Sequence, residues 1–563
     1  MKTLHKYMSI LAVSGLVPFS MMAQSSVDAY SLTQSELRGT ARFMSMGGAF
    51  TALGGDLSTL TQNPAGIGVY RGNDVGITLD VNFLSSKSSE IGGGMSWNKT
   101  HADVNNFGYV GTFHLNDDVM KTFSWGISYN RQKSFERQFR GSGINLETSL
   151  SNYIALCTDG TKYENLLHGS NQDYYNPYID SDNNWLSILG ANSGVINPVI
   201  DVETVDGTSQ AYATNIYNGL FQQPTGNIPA TVGSAEFVVR ERGYQDEYSI
   251  NFGGNLANSV FWGLGIGISD INYEQESYYA ESLQGANVPR NDYRDGIVEG
   301  DARWSLENWR RMSGTGVNLK LGAILKPINE FRVGVAIHTP TWYSLTTQYN
   351  ASSVLNATYA DPQVEADGTV SNGIKCDDYT ELADYSWNLR SPWRLMVGMA
   401  GVLGGRAIVS VDYEYQAYNK MKTSDDYGDF DTYNELIESD FKASNIVRVG
   451  AEYRVTPQFS LRAGYSYQST NVQDAVKNNE YEILTGGCNP AYSFNNDVRH
   501  ITAGMGYRSG GFYADLAYVN KHLTSTYHCF TPFEEYDGYW TNGAQAKITD
   551  NSNQVVLTIG YKF

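Results

Sequence analysis

The stretch Arg406-Ala407-Ile408-Val409-Ser410-Val411-Asp412-Tyr413-Glu414-Tyr415 decides the fold. Ala407, Val409, Val411, Tyr413 and Tyr415 share one face, while Arg406, Ser410, Asp412 and Glu414 share the other; Ile408 is the one apolar exception. Successive side chains of a strand point to opposite faces, so one face is greasy and the other charged. The same alternation recurs at Val447–Arg454 and Phe459–Gln468. A water-soluble sandwich also alternates, but its polar face meets bulk water and fills with Lys and Glu. Here that face mixes Arg, Glu, Asp, Gly and Ser, as expected of a wet, paired lumen.

Outward from this stretch, short turns and long polar segments take turns along the chain. Turn-forming residues cluster at 116–118, 258–259, 327–329, 404–405, 456–458 and 509–511. Long polar segments fall near 88–103, 138–240, 281–308, 352–380, 421–443, 473–495 and 529–550. Short turns on one side and long loops on the other mark an outer-membrane barrel. The expected fold is all-β: a transmembrane, antiparallel, up-and-down β-barrel of 14 strands spanning 73–563, with 138–240 as its largest extracellular loop. Trp125, Tyr129, Trp262, Trp342, Tyr343, Trp393 and Tyr453 are candidates for the aromatic rims.

Composition agrees. Gly (57) and Tyr (40) are abundant and Pro (14) is scarce, which suits many strands and disfavours a helical bundle. A net charge of -20 with no basic stripe argues against nucleic acid as a partner. Lys2, His5 and Lys6, the apolar run Ile10–Val17 and Met21-Met22-Ala23 read as a secretory signal peptide over 1–23. Val555, Leu557, Ile559, Tyr561 and Phe563 form an apolar face ending in an aromatic. Insertion machinery reads such a terminus, so the expected location is the Gram-negative outer membrane, reached through the periplasm. Its lipids and lipopolysaccharide are the expected surroundings.

Residues 24–72 do not alternate. They include Met46-Gly47-Gly48-Ala49-Phe50-Thr51-Ala52-Leu53-Gly54-Gly55-Asp56 and Asn63-Pro64-Ala65-Gly66. Small residues permit close backbone approach, as in a plug inside a lumen, and Ser45–Leu60 has room for one or two short helices. This segment, placed directly before the first strand, resembles the FadL/TodX family of long-chain fatty acid and aromatic hydrocarbon channels. Leu321-Gly322-Ala323-Ile324-Leu325-Lys326-Pro327, Ser391-Pro392-Trp393-Arg394 and Leu461-Arg462-Ala463-Gly464-Tyr465 are similar to that family too. The resemblance implies an N-terminal hatch inside the lumen and passive uptake of a hydrophobic small molecule. It also implies that Asn63, Pro64, Ala65 and Gly66 form a gate element against a gap in the wall. The segment 138–240 is larger than the family pattern.

Other constellations carry less. Cys157, Cys376, Cys488 and Cys529 fall in or beside long loops and are expected to staple them as two disulfides. Their spacing suggests no metal site, and no cofactor is expected. The acidic run Asp425-Asp426, Asp429, Asp431, Glu435, Glu438 and Asp440 lacks EF-hand spacing and reads as a solvated loop. No nucleophile motif such as G-x-S-x-G accompanies the Ser, His and Asp residues, so no enzyme is expected. The rival readings are a diffusion porin, a surface adhesin using 138–240, and a haem receptor using one or two of the scattered histidines.

Overall fold

The computed structural model describes residues 25–89, 95–169, 174–205, 208–224, 229–290, 296–364, 368–535 and 538–563. The expected leader, residues 1–23, lies outside them. In chain order the strands are β1 (Asp74–Ser89), β2 (Met95–His114), β3 (Met120–Ser134), β4 (Arg137–Asn145), β5 (Asn197–Val205), β6 (Thr208–Asn218), β7 (Val232–Leu256) and β8 (Val260–Pro289). Next come β9 (Ile297–Ile328), β10 (Phe331–His338), β11 (Trp342–Val364), β12 (Val370–Tyr379), β13 (Ala383–Arg390), β14 (Arg394–Leu403), β15 (Ala407–Gln416) and β16 (Lys422–Ser424). The last are β17 (Ser444–Arg454), β18 (Phe459–Gln468), β19 (Tyr492–Ser509), β20 (Phe512–His528), β21 (Phe533–Glu534), β22 (Trp540–Thr541) and β23 (Gln545–Lys562).

Antiparallel pairing closes the wall as a 14-strand barrel. The staves run β1, β2, β3 with β4, β7, β8, β9, β10 with β11, β14 with β13, β15, β17, β18, β19, β20 and β23. The seam pairs β23 with β1, from Asp74↔Lys562 to Ser89↔Lys547. Apart from one break between β2 and β3, closure leaves no sheet edge in hydrocarbon, where an unpaired amide would cost several kcal/mol. Two neighbouring staves break at the same height, β10/β11 at Thr339-Pro340-Thr341 and β14/β13 at Ser391-Pro392-Trp393. Proline has no amide to give a ladder, and side chains stitch the break instead: Ser391 Oγ accepts from the Thr341 amide at 2.8 Å.

The alternation maps onto the wall as expected. In β15, Val409, Val411, Tyr413 and Tyr415 are each 39–45% exposed, whereas Ser410, Asp412 and Glu414 are at most 1% exposed. Corresponding residues on neighbouring staves, such as Val447, Val449, Leu461 and Tyr465, complete an outward apolar belt. Ile408, the exception, packs from the wall onto an apolar cluster of the N-terminal segment that holds Phe43, Met44 and Phe50. Of the rim candidates, Trp342, Trp393 and Tyr453 face outward; Tyr343 faces inward and is buried, because it stands one residue past the register of Trp342.

Three expected loops prove to be strands. Segments 88–103, 281–308 and 352–380 belong largely to the β1–β2, β8–β9 and β11–β12 hairpins, which continue far beyond the belt. Above the bilayer both faces of a strand meet water or polar neighbours, so the apolar face disappears while the ladder persists. Helices Leu150–Thr158, Pro177–Asp180 and Trp185–Asn192, with hairpin β5–β6, form a dome from the large segment. Its core includes Leu150, Ile154, Ile188, Phe237 and Trp304. At its centre the buried Glu281 carboxylate accepts from the Leu150 amide (2.9 Å), Trp304 Nε1 (2.9 Å), Tyr279 OH (2.5 Å) and Ser149 Oγ. A buried acceptor needs such donors, and together they fix the start of the first dome helix.

The two expected disulfide staples are not formed: Cys157, Cys376, Cys488 and Cys529 are all free thiols. Cys488 and Cys529 are 1% exposed within the dome core, where they pack as small apolar side chains. Burial raises both thiols above their ordinary pKa, which makes them poor nucleophiles.

Candidate functional site

Residues 25–73 run inside the barrel. They start high, with a helix over Ser26–Thr33, and descend through Ala41–Ser45 and Thr59–Gln62 to a 3-10 helix, Pro64–Val69. The first two helices lie outside the expected window, because capping chemistry and not apolar periodicity starts them. Ser25 caps the first, in a reciprocal box with Asp28, and Thr40 caps the second.

The segment is tied to staves all round the wall. The Ala41 amide donates to Thr558 Oγ1 (2.7 Å) on β23, and the Thr51 amide to Asp412 Oδ2 (2.7 Å) on β15. Arg332 on β10 donates to the Leu53 carbonyl (2.7 Å), and Thr502 on β19 to the Ser45 carbonyl (2.9 Å). Arg38 pairs with Asp80 on β1 (3.0 Å) and Arg42 with Glu452 on β17 (2.9 Å). Glu452 is shared with Arg462, which also reaches Asp515. The polar faces that alternation assigned to the lumen are thus largely consumed by the segment and by one another.

Asn63, Pro64, Ala65 and Gly66 form the turn into the 3-10 helix. Asn63 is fully buried; its Oδ1 accepts from the Ala65 amide (3.1 Å) and its Nδ2 donates to the Thr51 carbonyl (2.6 Å). A Cβ on Gly263 would lie 2.2 Å from the Pro64 carbonyl carbon, and one on Gly322 would lie 1.9 Å from Asn63 Oδ1. Ala65 packs on Phe261 and Ile324. The element therefore presses on β8 and β9, where the ladder Val260↔Leu325 to Leu264↔Leu321 is unbroken. Between those two staves the ladder has no gap, while another stretch of the wall has a break.

That break lies between β2 and β3. Their ladder covers only Asn106–His114 against Asn130–Thr122, and among the described residues 95–105 of β2 pair with β1 alone. Above Asn130 the register of β3 slips at Arg131/Lys133, and the Phe135 amide donates to the Gly243 carbonyl (3.0 Å) as the stave bends into β4. Gly243 has φ +116°, and a Cβ there would meet the Asn272 oxygen at 1.9 Å, so only glycine permits this bend. Side chains replace the ladder: Arg131 pairs with Asp103 (2.9 Å) and Lys99 with Glu136. Outward-facing Val104 stands just above the last rung and Phe107 and Ile127 stand below it, so the break begins in the upper part of the apolar belt. This feature leaves no motif in the sequence; Gly243 in a charged strand is its only visible trace.

Behind the break lies a cavity of about 150 Å³, lined in part by Leu84, His101, Lys133, Phe135, Phe139 and Tyr273. Helix Ser26–Thr33 forms its inner boundary through Val27, Tyr30 and Ser31. The Tyr30 ring stacks on Phe441 (5.3 Å) and meets Phe494 edge-on (5.1 Å). Asp28 pairs with Arg310, and Lys133 donates to the Ser31 carbonyl (2.8 Å). Aromatic faces beside fixed polar groups suit an amphipathic or aromatic solute.

Comparison with known proteins adds the following. An OmpA-like transmembrane domain model matches residues 401–512. No curated protein matches the sequence. Among solved structures, a Pseudomonas aeruginosa FadL homologue is similar at 12% identity and TM-score 0.47, covering 94% of this chain and 99% of that one. The P. putida toluene transporter TodX is similar at 14% identity and TM-score 0.43, covering 94% and 99%. The CymD monoaromatic hydrocarbon channel is similar at 10% identity and TM-score 0.38, covering 93% and 97%. A closed antiparallel barrel with a continuous apolar belt is an architecture that lipid itself demands, and this chain resides in the outer membrane.

Among the described residues no three His, Cys, Asp or Glu side chains cluster to hold a metal ion. His338 donates to the Gln62 carbonyl (2.9 Å), and His528 stacks on Tyr492 (4.5 Å). The acidic segment forms helix Asp431–Asp440, whose last residue, Asp440, turns inward to accept from Ser26 Oγ (3.0 Å).

Proposed function

We propose that this chain takes up small hydrophobic molecules passively across the outer membrane, with residues 25–72 as a hatch and the β2–β3 break as a lateral door. The observation that carries the reading is the position of that break: it stands between an internal cavity and the upper part of the apolar belt. A hydrophobic solute passing sideways there never crosses the polar, hydrogen-bonded lower lumen. Long-chain fatty acids and aromatic hydrocarbons fit the mixed lining. Uptake needs no energy source, because a solute falls from one weak site to the next, and binding that favours a displaced hatch shifts a closed–open equilibrium. The same filled lumen disfavours a diffusion porin.

The test is a bridge across the door. In a Lys99→Cys/Glu136→Cys variant, a short bifunctional maleimide is expected to cut uptake of labelled oleate or toluene at least tenfold relative to the same variant before bridging. Full uptake by the bridged protein would rule out the lateral route.

A further inference from the structure

The outward face of the wall continues above the belt, and there its chemistry changes. Following the register of Ile268 on β8 and Tyr248 on β7, the outward positions become Glu274, Glu276 and Tyr278 on β8 and Arg242, Arg240 and Val238 on β7. β9 adds Trp309 and Glu307, and β11 adds Asn350 and Ser352. All of these except Glu274 and Arg242, with Tyr379 at the rim, line an open groove of about 600 Å³. Glu276 stands eight residues beyond Ile268. At about 3.3 Å per residue and a tilt near 40°, that is roughly 20 Å above the belt.

On this outward face above the belt each arginine is matched by carboxylates, and Glu307 adds a further acid to the groove. Arg242 reaches Glu274 (3.2 Å) and Glu276, Arg240 lies 3.6 Å from Glu276, and Arg303 pairs with Glu236 (2.8 Å). Trp309 Nε1 donates to Glu274 Oε1 (3.0 Å), which fixes the ring plane. The Tyr379 side chain is left 73% exposed. Arginines so matched, beside a further glutamate, have little pull on a bare phosphate. They do hold planar donors and acceptors at fixed angles beside two aromatic faces. That combination matches a sugar ring, with hydroxyls at its edge and C–H bonds on its face. An acyl chain would gain nothing there, since the groove is polar and lies above the belt.

We infer that this groove binds the core oligosaccharide of outer-leaflet lipopolysaccharide. The height of the groove and its outward aspect place it where that saccharide layer surrounds the barrel, whose residence in the outer membrane is the only premise; the transport reading is not needed. Bound saccharide would brace the tall β7–β8–β9–β11 wall that carries the dome.

The test uses the full chain in detergent and deacylated core oligosaccharide, followed by calorimetry. Wild type is expected to bind, and Tyr379→Ala, whose exposed side chain supports no packing, to bind at least fivefold more weakly. Trp309→Phe, which keeps an aromatic ring but loses the bond to Glu274, is expected to weaken binding as well. Heat-modifiable electrophoretic mobility shows that each variant is folded. Failure of wild type to bind would overturn the assignment. So would unchanged affinity in Tyr379→Ala, or equal binding of a phosphorylated glucosamine disaccharide that lacks the core.

Discussion

Asn63 is held from two sides in a fully buried site. Its amide nitrogen satisfies the Thr51 carbonyl and its amide oxygen the Ala65 amide, and no part of it is exposed. Asn63→Ala leaves both partners unpaired, which costs about 1–3 kcal/mol by the usual penalty for buried orphans. Amide hydrogen exchange over 63–69 is expected to speed up about tenfold or more, with the barrel strands unaffected. Gly263 states the same constraint from the wall. With Gly263→Leu the side chain would occupy the Pro64 backbone, so the turn must lift off β8. Protease sensitivity confined to 54–72 is the expected signature, and an unchanged digest would show the contact to be soft.

At the scale of elements, helix Ser26–Thr33 is held by a titrating latch. Burial pushes the Asp440 carboxyl up to about 6, against hydrogen bonds from Ser26, Tyr481 and Ser439 that pull it down. A carboxyl raised above its unfolded value near 3.8 binds its proton more readily when docked. Its contribution is therefore fully present below about pH 4 and is lost as pH rises through about 6. Two pKa units correspond to about 3 kcal/mol. Exchange protection of amides 26–33, corrected for intrinsic rates, is expected to be greater at pH 5 than at pH 7.5, and Asp440→Asn is expected to abolish the difference. The β3–β4 bend belongs to this scale as well. It depends on Gly243, a register slip and ion pairs to β2, none of which a strand pattern discloses.

For the molecule as a whole, the wall and its filling separate cleanly. The ladder closes through β1 and β23 without help from residues 25–72, whereas the lumen is filled by that segment and its contacts with the wall. In planar bilayers the intact chain is expected to pass no steady ionic current. Deleting residues 25–72 is expected to open nanosiemens-scale conductance in a barrel that still shows heat-modifiable mobility. Steady conductance from the intact chain would place the protein among open porins.

Residues 406–415 show what the sequence determined alone. An alternation of period two, with a charged inner face, fixes which side meets lipid, and the rhythm of turns fixes the strand number, because both follow from local backbone geometry. What tertiary structure decided is everything set by contacts between distant residues. It turned polar segments 281–308 and 352–380 into tall hairpins, left the four cysteines unpaired, and set Asn63-Pro64-Ala65 against β8 and β9 while opening the wall between β2 and β3. The physical reason is that a ladder bond, a buried thiol or a missing rung depends on the partner strand, and one strand's sequence does not name its partner.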